Sequence, residues 1–569
     1  MIDFFQKFLP PWLIKNRCTL YAKYIFDTLL GRNVFLRYGN SIGRIPHASL
    51  AAGEKKTILF PTEFFLDRGL AWQTTIAKAL EVRGHEVVFM PLDISFPRRN
   101  ALYFEEQDRG FIMNFYRLYT KTLLRGFSFR RRPYSEFGDS RGFEAHRIAV
   151  SQLSEQECRA FTDNGYPIGV MALNSVIHHF RCGPGAMRPD VLEAYKDYLA
   201  MGLVLRDVLN TAFDVIKPDI VFVLNGSFLN GALELFIARK RGIRVVTFEA
   251  GFMLNSLMLG ENEPIVSFPM QKYLPREYAS YQLVDAQNQE LDSYLKTRSL
   301  GKDCIFDYWG KPVFDHEKIR EELGIPNSVT PDILFTNLQW DSAMIDCDIA
   351  FESQLDWIAT TIEFYARHHD RTLLIRIHPA EINPPFLESQ DKIEDSIRAR
   401  FPNLPHNVIL IPPTSTISSY PLTEISGLSL VYASTAGLEA AIMGKTTLVA
   451  GKTHYRGMDF THDIQTKDEY LQLLESAQPP LAREEMVAQA RKYAYFFFFG
   501  FMIPFPLVTE SVATEKGGNV HYRFTSEQDL LPGHDAGLDF VLNVVFDLSS
   551  YHERLRALLQ DKSTKNAIA

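Results

Sequence analysis

The chain has 569 residues, 46% of them apolar and 22% charged, a length that at roughly 150 residues per domain carries three to four domains' worth of material. That composition excludes a largely disordered chain and a multispanning membrane protein, and 60 Lys and Arg against 68 Asp and Glu, a formal charge of −8, argues against a nucleic-acid binder, whose phosphate contacts need a basic face. The outlier is aromatic content, 13% with 43 Phe and 24 Tyr, including the run Phe496 to Phe499.

Residues 1–50 read as an N-terminal helical segment. Its first 17 residues carry Asp3 and Pro10-Pro11, so they lack the basic start and unbroken apolar core of a signal peptide. Their aromatic side chains suit another domain or a membrane surface. The five cysteines form no CxxC pair, which predicts neither a zinc site nor a redox dithiol and fits a reducing cytoplasm. An N-terminal Rossmann-like domain is predicted over 51–290. Thr57-Ile58-Leu59-Phe60 reads as a buried strand, a helix follows through Ala71 to Val82, and Glu86 to Met90 starts the next strand. Residues 97–183 read as a mostly helical insertion. The same grammar returns at Ile220 to Leu224, a helix over Gly231 to Arg241, and Ile243 to Phe248.

A second Rossmann-like domain is predicted over 291–480. Its strands are Ile333 to Thr336, Thr372 to Ile377, Asn407 to Ile411, Leu428 to Tyr432 and Thr446 to Ala450, with a long amphipathic helix over Phe351 to His368. Repeated strand-helix-strand order implies α/β domains with parallel sheets covered on both faces, and two in tandem make a cleft. Residues 481–569 carry the aromatic run and read as an extension packing back across the domains, with peripheral membrane contact as the minority alternative. Ala494 to Val508, the longest apolar stretch, is shorter than the ~20 residues that span a bilayer and is broken by Pro504 and Pro506.

The candidate chemistry lies at strand ends. After Tyr432, Ser434 and Thr435 open a small-residue helix containing Gly437 and Glu439. Unpaired N–H groups and two hydroxyls there suit a phosphate, with Glu439 near a ribose. The alternative is an ordinary N-cap and an exposed helical Glu. Gly437 with Gly444-Lys445-Thr446 only imitates a P-loop, because six residues separate the glycines where four are required. Arg376 and His378 are two apart in a strand, so both are expected on one face, where they could neutralise a leaving phosphate. Glu249, in Thr247 to Phe252, could take a proton from an acceptor hydroxyl, or could belong to a plain turn. Asn225 and Ser227, after the preceding strand, are candidates for acceptor hydroxyls. Asp346-Cys347-Asp348 matches a metal-binding D-x-D but precedes a helix and reads as N-terminal helix charge. No metal and no cofactor are predicted.

Four segments in order, Phe248-Glu249-Ala250-Gly251-Phe252, Ile375-Arg376-Ile377-His378-Pro379, Ser434 to Ala440 and Gly451 to Thr461, resemble the capsule polysaccharide biosynthesis family, which includes glycosyltransferases of Kdo-type sugars. They are also similar to elements of bacterial sialyltransferases. The resemblance covers roughly residues 215 to 465. It implies a GT-B fold, a nucleotide-sugar donor with a CMP-sugar favoured, and a glycan or lipid-linked glycan acceptor. It further implies Glu249 as catalytic carboxylate, His378 as donor to the nucleotide phosphate, and Ser434 and Thr435 as phosphate binders. The acidic pair usual before the glycine is here Glu249 with Ala250. Two other readings use the same residues: a CDP-alcohol phosphotransferase of teichoic-acid type, and a catalytically silent GT-B-like scaffold of polysaccharide assembly.

Overall fold

The computed structural model describes residues 55–62, 68–97, 120–185, 187–267, 270–302, 312–382, 388–476, 483–510, 520–547 and 549–560. The expectations for residues 1–50 lie outside these. Two sheets carry the fold, the second all-parallel and the first parallel except at the edge formed by its last two strands.

The first sheet contains β1 (Thr57–Thr62), β2 (Glu86–Pro91), β3 (Arg130–Arg131), β4 (Ile220–Leu224), β5 (Arg244–Ala250) and β6 (Ser256–Glu261). Helix α1 (Arg68–Val82) joins β1 to β2. The strand interiors are apolar runs buried on both faces, as covered parallel strands require. The predicted insertion supplies more than helices, since Arg130–Arg131 pairs with β2 at the sheet edge. Beyond it come α2 (Ile168–Phe180) and the 28-residue α3 (Pro189–Ile216), which leads into β4. Helix α4 (Leu229–Lys240) then returns the chain to β5.

Helix α5 (Asp285–Ser299) crosses the predicted domain boundary at 290/291. The second sheet contains β7 (Asp332–Phe335), β8 (Leu373–Arg376), β9 (Val408–Ile411), β10 (Leu428–Val431), β11 (Thr446–Val449) and β12 (His462–Asp463), in the order β12-β11-β10-β7-β8-β9. Its helices include α6 (Gln354–Tyr365), α7 (Ser419–Ile425) and α8 (Ala436–Ile442). From β7 the chain builds outward through β8 and β9, then restarts on the other side with β10, so the order reverses between β7 and β10. The first sheet reverses in the same way between β1 and β4. Ligands of open α/β sheets bind at such reversals, beyond the carboxyl ends of the strands.

The tail recrosses to the first domain. Helix α9 (Arg483–Tyr495) runs into a π-helical turn, Phe496–Phe501, and β13 (Ile503–Pro504) then pairs antiparallel with β6. A hairpin, β14 (Val508–Glu510) with β15 (Val520–Tyr522), and helices α10 (Ala536–Phe546) and α11 (Ser549–Gln560) follow. The aromatic excess has its place here, because Phe496, Phe497, Phe498, Phe499 and Phe501 are all buried. Phe497 lies 5.2 Å from Phe252 of the first domain and stacks at 4.3 Å on His454 of the second. Among the described residues no helix is long and apolar enough to cross a membrane.

Candidate functional site: the cleft between the two sheets

On the first domain's side, β4 ends at Leu224 and the chain turns through Asn225 (φ 59°) and Gly226 (φ 83°). Such left-handed backbone is open to Asn and Gly at little cost. The turn aims the Asn225 amide sideways, where Nδ2 donates to Glu249 Oε2 at 2.9 Å while Oδ1 accepts the Ser227 N–H at 3.1 Å. Glu249 Oε1 accepts the Ala250 N–H at 2.8 Å. The carboxylate is thereby oriented by two donors. Asn225, Ser227 and Glu249 therefore stand together at the ends of β4 and β5.

Gly251 is required by packing: a Cβ there would meet Ser256 Oγ at 2.0 Å and Met502 Sδ at 3.1 Å.

On the second domain's side three strand ends converge. Thr336 Oγ1, just past β7, accepts the His378 N–H at 3.1 Å, and Asn337 Oδ1 accepts the Ala433 N–H at 3.2 Å. The loop after β7 thus ties the His378 loop after β8 to the Ser434 loop after β10. His378 caps the turn Pro379–Glu381, with Nδ1 accepting the Ala380 N–H at 3.0 Å. An acceptor Nδ1 leaves Nε2 as the protonated, donating nitrogen of a neutral ring. Burial, together with the nearby Arg376 charge, pushes the His378 pKa down to about 4, so the ring is neutral at physiological pH. Ser434 Oγ accepts the Ala436 N–H at 3.2 Å, and the Tyr455 hydroxyl donates to the Ser434 carbonyl at 2.7 Å. Thr435 occupies the N-cap position of α8 without a side-chain capping bond.

Three expected phosphate or ribose ligands are committed elsewhere. Arg376 is 1% exposed, and its guanidinium donates to the carbonyls of Pro412 (2.6 Å), Ser415 (3.1 Å) and Ile417 (3.4 Å). The strand stops at Arg376, so the two-residue alternation does not carry on to His378, and the Arg holds the loop after β9. Glu439 is paired with Arg298 of α5 at 2.8 Å. The Tyr420 hydroxyl also bonds Glu439, and burial followed by that carboxylate's charge drives the Tyr420 pKa far up. Arg298 reaches the Phe252 carbonyl at 3.3 Å and lies 5.6 Å over the Phe498 ring. Glu439 thus ties α8 to α5 and, at 16% side-chain exposure, is not the exposed helical Glu of the alternative reading. Gly437 is required by packing, since a Cβ would come within 2.2 Å of the Tyr455 hydroxyl.

The fourth motif is likewise structural. Arg456 donates to the Gly451, Val449 and Ile464 carbonyls at 3.0, 3.2 and 2.5 Å. His454 exchanges hydrogen bonds with the Tyr493 hydroxyl at 2.8 Å. In the D-x-D segment, Asp348 accepts from the Tyr432 hydroxyl at 2.5 Å, and among the described residues no group of three or more His, Cys, Asp or Glu is placed to hold a metal ion.

Sequence reasoning passed over two parts of the cleft. Asp341, at the end of the β7 loop, caps the turn Ser342–Met344, accepting the Ala343 N–H at 2.9 Å. Burial, then the Glu249 charge, raises the Asp341 pKa. Trp340 packs edge-on against His178 of α2, with ring centres 5.3 Å apart, and His178 does the same against Phe228 at 5.0 Å. The signal for both was positional: the loop after the first strand of a nucleotide-fold domain faces the crevice.

No family model and no curated protein sequence matches the chain. Solved structures similar to it include a Thermosulfurimonas dismutans KpsC beta Kdo 2,4 transferase (14% identity, covering 48% of this chain and 79% of that one, TM-score 0.33). A glycosyltransferase from Rickettsia africae ESF-5 (12% identity, 79% and 94%, TM-score 0.28) is another. A UDP-GlcNAc 2-epimerase from Neisseria meningitidis bound to UDP-GlcNAc (14% identity, 78% and 99%, TM-score 0.23) is a third.

Proposed function

We propose that the protein is a glycosyltransferase that moves a sugar from a nucleotide-activated donor, a CMP-sugar, to a glycan acceptor of bacterial surface-polysaccharide type. Two strand-end clusters support this reading. Glu249, oriented by Asn225 and the Ala250 N–H, stands on one domain. The neutral His378 and the Ser434-Thr435 turn flank the end of β7 on the other.

In the proposed reaction Glu249 takes the proton of an acceptor hydroxyl as its oxygen bonds to the anomeric carbon. The bond from that carbon to the donor phosphate breaks, and its electron pair leaves with the nucleotide. His378 Nε2–H and the N–H groups and hydroxyls of Ser434 and Thr435 receive the charge that develops on the phosphate. Donors fixed before the reaction stabilise that charge without reorganising, and the cleft supplies orientation. Arg376 acts indirectly, by holding the loop after β9. No metal step is part of this scheme.

The test is acceptor-dependent CMP release from a panel of CMP-sugars, with CDP-glycerol alongside. Glu249→Gln is expected to lower transfer by roughly 10²–10⁴, the range for a general base, and His378→Ala by roughly 10²–10³, as for loss of one oxyanion donor. Full activity in both variants would refute the assignment. Turnover of CDP-glycerol alone would select the phosphotransferase, and nucleotide binding without turnover would select the scaffold.

A further inference from the structure

Besides the aromatic tail, a second set of contacts joins the two domains, made of direct hydrogen bonds and one ring contact. Helix α2 ends at Arg181, whose backbone turns left-handed (φ 48°). Its side chain, 8% exposed, crosses to the other domain, where Nε donates to the Glu388 carbonyl at 2.8 Å. The Gln390 N–H donates back to the Arg181 carbonyl at 2.9 Å. Asp391 accepts the Gly183 N–H on Oδ2 at 3.2 Å and the Arg188 guanidinium on Oδ1 at 2.9 Å. Bonds thus run both ways between residues 181–188 and 388–391. Beside them, Trp340 Nε1 donates to Ser389 Oγ at 2.7 Å while the Trp340 ring meets His178 of α2 edge-on.

Each side of this seam is bonded to one of the candidate reactive groups. On the first domain α2 holds the loop after β4: Asn174 Nδ2 donates to the Ser227 carbonyl at 3.2 Å, and Ser175 Oγ accepts the Leu229 N–H at 2.9 Å. Asn225, two residues before Ser227, orients Glu249. On the second domain the Ser389 N–H donates to the Glu381 carbonyl at 2.8 Å, and Glu381 ends the turn that His378 caps. Hydrogen bonds and short stretches of chain therefore connect the loop that orients Glu249, through α2 and the seam, to the His378 turn.

We infer that residues 181–188 and 388–391 form a latch that fixes the His378 turn of one domain relative to Glu249 of the other, with Arg181 and Asp391 as positioning residues for the transfer. The inference rests on the proposed transferase reading and adds to it the contact that sets the spacing of its two halves. His378, Ser434 and Thr435, the nucleotide contacts of that reading, all lie in the C-terminal domain. Releasing the latch therefore leaves nucleotide affinity in place and slows the step that needs both domains. A misplacement of about 1 Å between reacting groups costs on the order of a hundredfold in rate.

Arg181→Gly removes the guanidinium at a left-handed helix end, where glycine is favoured, so the variant folds without strain at that position. Asp391→Ala removes the other anchor, and Asp391→Asn keeps an acceptor for the Gly183 N–H. Hydrogen–deuterium exchange followed by mass spectrometry reads segments 181–188 and 388–391, with β4 and β8 as the measure of intact folding. The Gly183 and Gln390 N–H groups keep their acceptors in Arg181→Gly, so faster exchange there reports opening of the seam. Both segments should exchange about tenfold faster or more in Arg181→Gly and Asp391→Ala, the scale of one hydrogen bond to a charged group, while β4 and β8 are unchanged. CMP affinity by calorimetry should stay within about threefold of wild type while kcat for acceptor-dependent CMP release falls about tenfold or more, with partial recovery in Asp391→Asn. Exchange at 388–391 equal in wild type and Arg181→Gly overturns the latch whatever the activity. An unchanged kcat, or kcat and CMP affinity falling together, overturns the positioning role. A wild type that releases no CMP from any CMP-sugar, with the exchange result as expected, overturns the transferase reading and the positioning role with it, while the latch itself stands.

Discussion

Glu439→Gln separates the anchoring role found for this residue from the ribose contact that its motif suggested. The Arg298–Glu439 pair is 2.8 Å apart, with side chains 17% and 16% exposed. At that distance and an effective dielectric near 20 the gross attraction is about 6 kcal/mol. Much of this offsets desolvation, but removing one partner of a buried pair leaves the other charge uncompensated, at a cost of about 3–5 kcal/mol. Glutamine still accepts one hydrogen bond, and Arg298 keeps the Phe252 carbonyl and the Phe498 ring, so the expected loss is near the lower end, about 3 kcal/mol. Urea unfolding of the wild type, Glu439→Gln, Arg298→Met and the double variant completes a cycle. Because the residues touch, the coupling energy should reach about 2 kcal/mol, with the double variant more stable than the sum of the singles implies. A Glu439→Gln protein within about 0.5 kcal/mol of wild type, with weakened nucleotide binding, would refute the anchoring argument and restore the ribose contact.

Three further outcomes are expected. Phe497→Ala should cost about 3–5 kcal/mol and split a single calorimetric transition into two, because Phe497 touches Phe252 in one domain and His454 in the other; one unsplit transition at the wild-type temperature would contradict the brace. Glu381, 3% exposed, has its pKa raised to about 7, chiefly by burial. A carboxyl raised in the fold contributes stability that is complete below its unfolded pKa and is lost as pH rises through 7. Glu381→Gln should therefore become the more stable protein above pH 7, by up to about 3 kcal/mol, and the difference should vanish near pH 4; a pH-independent difference in melting curves would contradict this. CMP affinity should show no histidine titration between pH 5.5 and 8, since His378 stays neutral down to about 4, and His378→Ala should weaken CMP at least tenfold, the scale of one hydrogen bond to a charged group; tighter binding as pH falls through 6.5 that disappears in His378→Ala would instead mean an imidazolium.

The strands were the legible part of the chain. Ile220 to Leu224 and Leu373 to Ile375 are continuous apolar runs because covered parallel strands bury both faces, and the observed strands end within a few residues of such runs. The partners of polar residues at strand ends were illegible. Arg298 lies 141 positions from Glu439, on a helix that the sequence marks only as polar, and the carbonyls that hold Arg376 come from a loop 36 to 41 residues away. A motif records residue type and spacing, and a buried Arg solvated by carbonyls shares both with one that binds a phosphate. Asp341 shows the converse: it sits in no motif, and only the packing of the turn it caps on residues 265–267 ties it to the first domain.

In the proposed reaction Glu249 and the nucleotide cluster act on one donor, each from its own domain. The most direct measurement is CMP release from CMP-sugars, with and without a polysaccharide acceptor, by wild type and Glu249→Gln, paired with CMP calorimetry on both. Both proteins should bind CMP equally, and only the wild type should release CMP in an acceptor-dependent way. Equal acceptor-dependent release by the two proteins, or a wild type that does not bind CMP, would contradict it.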